Sequence, residues 1–249
     1  MPEVRVLPAP EALGSAVAGE LLGTLAALTR EVTGRKVDLA LAGGSVNSLV
    51  LARVAQLPHP PALDWSRVRV WWVDERFVPS GDEQRNDREA YEALLGGLPD
   101  VETVPWPHQH GTLSLEEAGA QFSTTWASLM GGRAPDLSVV GCGPDGHFAS
   151  LFPGHTSLDA PGPVLVEHES PKPPPHRLTL ARDTVVRSHQ LWLVAAGASK
   201  ASVVQRALVG ADLHEVPIAA LATDRAVWWL DRAAAPHARG DGSGTGNGS

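Results

Sequence analysis

The chain has 249 residues, with 20 Lys and Arg against 28 Asp and Glu, a formal net charge of −8. Apolar residues make up 43% of it, enough to bury a core, which excludes disorder over most of its length. The acidic balance excludes a partner chosen by phosphate-backbone charge, so no nucleic acid is expected, and the single cysteine, Cys142, excludes an internal disulfide framework and a cysteine-built zinc site.

The first residues, M-P-E-V-R-V-L-P, have no cationic start leading into an apolar run. No uncharged apolar stretch approaches the roughly 20 residues needed to span a bilayer. A cytoplasmic protein without a membrane partner is expected. Apolar residues at Leu13, Val17, Leu21, Leu25, Leu28 and Val32 recur every three or four positions and predict an amphipathic helix stopping near Gly34. Residues 37–42 predict a buried strand, Gly43-Gly44 a turn, and Val46, Leu49, Val50 and Val54 a following helix. A strand is predicted at 68–73 and a helix near 88–95, after the polar run 82–86. Helix Leu115–Met130, strands at 137–140 and 191–196, a helix at about 200–208 and a last strand at 227–230 complete the pattern. Alternating strands and helices imply an α/β fold with a mainly parallel sheet covered on both faces. The composition does not break, so residues 1–238 are read as one domain. The tail at 239–249 has five glycines and no apolar residue and is expected to be disordered. The eight Trp residues are read as packing.

Three segments at strand ends carry the chemistry. In L-A-G-G-S-V-N-S-L-V at 41–50, glycines between strand and helix let backbone N–H groups approach an anion, and Ser45 adds a hydroxyl. A plain connection reads the same way, and neither a P-loop nor a dinucleotide spacing is present. In V-D-E-R-F-V-P-S-G-D-E-Q-R-N at 73–86, Asp74, Glu75 and Arg76 stand where a parallel sheet opens its ligand crevice; a solvated loop with one ion pair is the alternative. In G-C-G-P-D-G-H-F-A-S-L-F-P-G-H at 141–155, glycines surround Asp145 and His147. An imidazole can act as base at neutral pH, and an Asp two residues away can orient it. A tight turn whose His caps a helix is the alternative. Arg177 and Lys200 are isolated cations. A lysine opening a helix is opposed by the macrodipole, which a bound anion would offset. No metal-ligand spacing and no Gly-x-Ser-x-Gly elbow occur.

Taken in order, these segments resemble the 6-phosphogluconolactonase family, from about Leu7 to Asp231. The strongest element is the 141–155 segment; V-D-E-R-F-V-P with Asn86 downstream and Gly43-Gly44-Ser45 follow, with H-R-L-T-L at 176–180 and G-A-S-K at 197–200 weaker. The resemblance implies a three-layer, Rossmann-like fold of the sugar-phosphate isomerase (deaminase/lactonase) type. It implies hydrolysis of 6-phospho-D-glucono-1,5-lactone in the oxidative pentose phosphate pathway, without metal or organic cofactor, by a monomer. On it, His147 is the base, oriented by Asp145. Gly43, Gly44, Ser45, Arg177 and Lys200 hold the phosphate, and Asp74 and Asn86 bind sugar hydroxyls or hold Arg76. The oxyanion is expected to take backbone N–H groups of the 143–147 turn, or Arg76. Glucosamine-6-phosphate deaminases share the Gly-x-Asp-Gly-His core but continue with I-A-F-N-E-P and carry Asp-Glu-Tyr earlier, where this chain has F-A-S-L-F-P and Asp-Glu-Arg. A non-catalytic sugar-phosphate sensor would need a DNA-binding module, and the residues before Val37 give one long helix instead. The family's first turn commonly reads Gly-Gly-Ser-Thr-Pro; here Val46 and Asn47 follow Ser45. Loss of one hydrogen bond to a charged group costs about 1.5–3 kcal/mol, so either phosphate is held more weakly or Asn47 donates in its place.

Overall fold

The computed structural model describes residues 2–98 and 100–236; the tail at 239–249 lies outside them. In chain order the elements are β1 (Glu3–Leu7), α1 (Pro10–Glu31), β2 (Val37–Leu41), a π-helical turn (Val46–Leu51) running into α2 (Ala52–Val54), β3 (Val68–Trp72), β4 (Asp74–Arg76), α3 (Asn86–Ala93), β5 (Glu102–Val104) and α4 (Leu115–Met130). They continue with β6 (Leu137–Gly141), β7 (Val164–Glu167), β8 (Arg177–Leu180), α5 (Arg182–Val186), β9 (Gln190–Ala195), α6 (Ala201–Leu208) and β10 (Ala226–Asp231).

Seven strands form one sheet in the order β1-β10-β9-β6-β2-β3-β5, every pairing parallel. Central strands of such a sheet are covered on both sides and read as continuous apolar runs; all five residues of β2 are buried. From β2 the chain steps outward through β3 and β5, returns on the other side at β6, and continues through β9 to β10. The carboxyl ends of β2 and β6 therefore flank the point where strand order reverses, the place where open α/β sheets form a crevice.

The helices follow their sequence signals. Ser114 and Glu117 close a reciprocal capping box at the start of α4, and Gly131 ends it in the left-handed conformation. α4 lays Trp126 and Phe122 edge-on against Trp71 of β3, at centroid distances of 4.7 and 6.0 Å. Trp71, Trp106 and Trp228 are buried, so these tryptophans are packing residues, as read. By length and composition α1 could cross a membrane, but its buried stripe, Leu13, Val17, Leu21 and Leu25, is at most 1% exposed and the helix packs on β2 and β10.

The sequence pattern left five strands unread, β1, β4, β5, β7 and β8. β1 sits on the sheet edge with Val4 and Val6 exposed, so its alternation has no buried partner face to mark it. β4 is only Asp-Glu-Arg, read above as a strand-end loop. It pairs antiparallel with β8, which pairs with β7 in a second, three-stranded sheet. Backbone pairing and burial make β4 a strand, against the composition of its side chains.

Candidate active site

A cleft of about 430 Å³ opens at the carboxyl ends of β2, β3, β6 and β9. Of the residues expected to act, Gly43, Gly44, Ser45, Asp74, Arg76, Asn86, His147, Arg177 and Lys200 all line it. Asp145 does not line it and is joined to it through its hydrogen bond with His147.

The turn after β6 builds the base. Gly143 N–H donates to the His147 carbonyl at 2.8 Å and Gly146 N–H to the Gly143 carbonyl at 3.1 Å, folding the loop back on itself. The imidazole then lies against the Gly143 backbone: a Cβ there would fall 2.0 Å from His147 Cε1 and Nδ1. Only glycine admits the ring at this position. Nδ1–H donates to Asp145 Oδ1 at 2.5 Å, which leaves the Nε2 lone pair free. Phe152, 2% exposed, covers the ring at a centroid distance of 4.9 Å. Ala149, just beyond, has φ of +48°, a strained conformation for a residue with a Cβ. Burial alone would raise the Asp145 carboxyl, but the hydrogen bond and charge of His147, with the charge of Lys172, outweigh it and hold the group well below the usual carboxylate range. Burial pushes the Cys142 thiol up to about 11, so this cleft residue is not a thiolate nucleophile at neutral pH.

The β4–α3 arm is a chain of hydrogen bonds. Asp74 Oδ2 accepts from Ser150 Oγ at 2.7 Å. The Asp74 carbonyl accepts from Asn86 Nδ2 at 2.9 Å, and Asn86 Oδ1 accepts from Arg76 Nη1 at 2.5 Å. Gly43 lets Asn86 come close: a Cβ on it would sit 1.8 Å from Asn86 Oδ1. Asn86 thus holds Arg76, one of the two roles expected for it, and Asp74 anchors Asn86. Beneath them Glu75, fully buried, accepts from the backbone N–H groups of Arg76, Asn86 and Asp87. Its carboxyl is pushed up to about 7 by burial, against the nearby Arg85 charge.

Arg177 is 5% exposed. Its Nε and Nη2 donate to the carbonyls of Pro174, Lys172 and Pro173, so it also ties down the strap at 170–175. Lys200 stands at the N-cap position of α6 without a side-chain capping bond and lines the cleft. Burial, with the Lys172 charge adding, holds its ammonium below the usual lysine range, a shift that a bound anion would reverse.

Two expectations are corrected. Asn47 does not face the cleft: it is fully buried, and its Nδ2 donates to the Asn86 carbonyl at 3.2 Å and to Glu89 Oε2 at 3.1 Å. It stitches the π-helical turn to α3 and does not replace the missing threonine hydroxyl. The turn also offers fewer amides to an oxyanion than expected. Gly143 and Gly146 N–H are bonded within the loop, His147 N–H faces Asp145 Oδ1 at 3.5 Å, and Pro144 has none. Of the donors expected, the Asp145 N–H and Arg76 remain.

One residue was missed. Lys172 lines the cleft and lies within 3.3 Å of His147 Nδ1 and 3.9 Å of Asp145 Oδ1. Its sequence context, S-P-K-P-P-P, reads as a stiff spacer. The available signal was a lone cation fixed between prolines just before Arg177.

The family model described as glucosamine-6-phosphate isomerases/6-phosphogluconolactonase matches residues 8–229. A 6-phosphogluconolactonase of Streptomyces coelicolor is 36% identical over 247 residues, covering 94% of this chain and 94% of that protein. The crystal structure of a 6-phosphogluconolactonase from Shewanella baltica is 26% identical with a TM-score of 0.77, covering 93% of this chain and 97% of that one. A monomeric glucosamine-6-phosphate deaminase shares the fold, with a TM-score of 0.71 at 22% identity over 93% of this chain and 98% of its own.

Proposed function

The chain belongs to the glucosamine-6-phosphate isomerase/6-phosphogluconolactonase family, and from its cleft we propose that it hydrolyses 6-phospho-D-glucono-1,5-lactone to 6-phospho-D-gluconate, the lactone-opening step of the oxidative pentose phosphate pathway. The observation that carries this reading is an imidazole, His147, hydrogen-bonded to Asp145 in the same cleft as Arg76, Arg177, Lys172 and Lys200.

Water is deprotonated by His147 Nε2 as its oxygen attacks C1. The carbonyl electrons move onto the carbonyl oxygen, and Arg76, held by Asn86, faces that charge. Asp145 keeps Nδ1–H in place and stabilises the imidazolium. Collapse restores C=O and breaks the bond from C1 to the ring oxygen, which takes the proton from Nε2. The acid product then loses its proton to solvent. The phosphate is held by Ser45, the Gly43 and Gly44 backbone, Arg177 and Lys200, guanidinium giving a fork and ammonium a point charge. No step calls for a metal or an organic cofactor. All these groups come from one chain, which supports a working monomer; light scattering at assay concentration tests that.

The deaminase alternative is disfavoured by one feature. Where deaminases carry an acidic residue after the histidine, this chain has Leu151 and Phe152, 0% and 2% exposed, with Phe152 packed on the His147 ring. The test is proton release in weak buffer from lactone made in situ from glucose 6-phosphate, against the spontaneous rate. Acceleration proportional to protein and indifferent to chelator supports the reading. Ammonia release from glucosamine 6-phosphate without lactone acceleration overturns it.

A further inference from the structure

A base must be unprotonated when substrate arrives, yet a carboxylate 2.5 Å from Nδ1 favours the imidazolium. An Asp–His pair alone is therefore pulled toward its protonated, unreactive form at neutral pH. Lys172 stands where it opposes that pull. With Nδ1–H committed to Asp145, the ammonium 3.3 Å from Nδ1 has no lone pair to bond. The contact is one of charge, and it disfavours a second positive charge on the ring.

The placement is built. Lys172 N–H donates to Ser170 Oγ at 3.3 Å, the Ser170 hydroxyl donates to the Lys172 carbonyl at 2.9 Å, and Arg177 Nη2 donates to the same carbonyl at 3.0 Å. Proline follows at 173, 174 and 175. The backbone of this residue is thus fixed on both sides while its side chain reaches into the cleft. The other charged or titratable neighbours do not duplicate it. Asp145 faces the ring from its own turn. Cys142 is neutral, pushed up by burial. Lys200 stands just before α6, with Lys172, Asp145 and Cys142 as its titratable neighbours. His155 lies beyond Phe152 and is paired with Glu167 at 3.0 Å.

We propose that Lys172 is a positioning residue that sets the protonation state of the His147 base, holding the imidazole neutral at rest against the pull of Asp145. The proposal rests on the lactonase reading for its meaning in turnover, but its electrostatics stand without it.

The experiment compares wild type, Lys172→Met and Lys172→Arg by kcat/KM from about pH 5 to 8, the range in which imidazoles titrate, and by NMR titration of the His147 ring in the free protein. In Lys172→Met the acid limb and the ring titration both move to higher pH, by about one unit. Lys172→Arg keeps the charge and returns both toward wild type. If Lys172→Met raises KM or lowers the plateau but leaves both midpoints in place, Lys172 only binds substrate and the proposal falls. If wild type does not accelerate lactone hydrolysis, the functional reading falls, while the ring titration still decides whether Lys172 acts on His147.

Discussion

The two ends of the parallel sheet are both rich in charge and treat it in opposite ways. At the amino end, Asp38, fully buried, takes Arg133 at 3.0 Å, Arg69 at 3.3 Å and the Trp71 indole at 2.9 Å. Arg35 grips Asp136 with both nitrogens at 2.6 and 2.7 Å. Each of these three arginines is matched by a carboxylate in one network, while Arg67 beside them is held by the Thr29, Val32 and Arg35 carbonyls. At the carboxyl end, Arg76 is held by the Asn86 amide and the Gln84 carbonyl, and Arg177 by three strap carbonyls. Neutral acceptors fix these guanidiniums without cancelling their charge. The same residue types make a structural clasp around Asp38 and Asp136 at one end and a group of uncancelled cations, the proposed anion site, at the other, and for these arginines the difference lies in whether their partners are charged. This is also how a chain with a net charge of −8 keeps a positive cleft.

The comparison can be broken from either side. The largest effect is expected from Asp38→Ala, which leaves buried partners uncompensated and should cost about 3–5 kcal/mol in denaturant unfolding, with kcat of the folded enzyme unchanged. A large loss of kcat in the folded variant would show that the clasp reaches the site. Next comes Lys200→Met, which removes the charge-assisted contact proposed for the phosphate. That is worth about 1.5–3 kcal/mol, so KM should rise roughly 10- to 100-fold with kcat within a few-fold; an unchanged KM would remove Lys200 from the phosphate site. The smallest effect is on acid stability. Asp145 is held below the usual carboxylate range, with burial opposed and outweighed by His147 and Lys172. Its contribution to stability is therefore present above its ordinary value of about 4 and is lost as pH falls below it. The Tm difference between wild type and Asp145→Asn should narrow as pH falls from about 4 to about 2, where the carboxylate takes its proton. A difference that goes on widening below about pH 4 would contradict the assigned pairing.

Much of this was legible in the sequence, because the strong signals were of the kind that survive folding. Helix Leu115–Met130 has its capping box and terminal glycine in the letters and is found with those bounds. The glycine-flanked turns after β2 and β6 appear as such because no other residue would admit Asn86 or the His147 ring. What was not legible depends on partners distant in sequence. β4 is a strand only because β8 comes to it from about 100 residues away. Asn47 reads as a possible donor until α3 is seen to receive it. Lys172 reads as part of a spacer until the strap folds over Arg177 and delivers it to His147.

The account's central claim is that His147 is the base, and the most direct measurement is the kcat of His147→Ala in the proton-release assay, beside its melting temperature. The account predicts a loss of at least about 100-fold with the fold intact. A kcat within a few-fold of wild type would show that water is activated elsewhere and would contradict the mechanism.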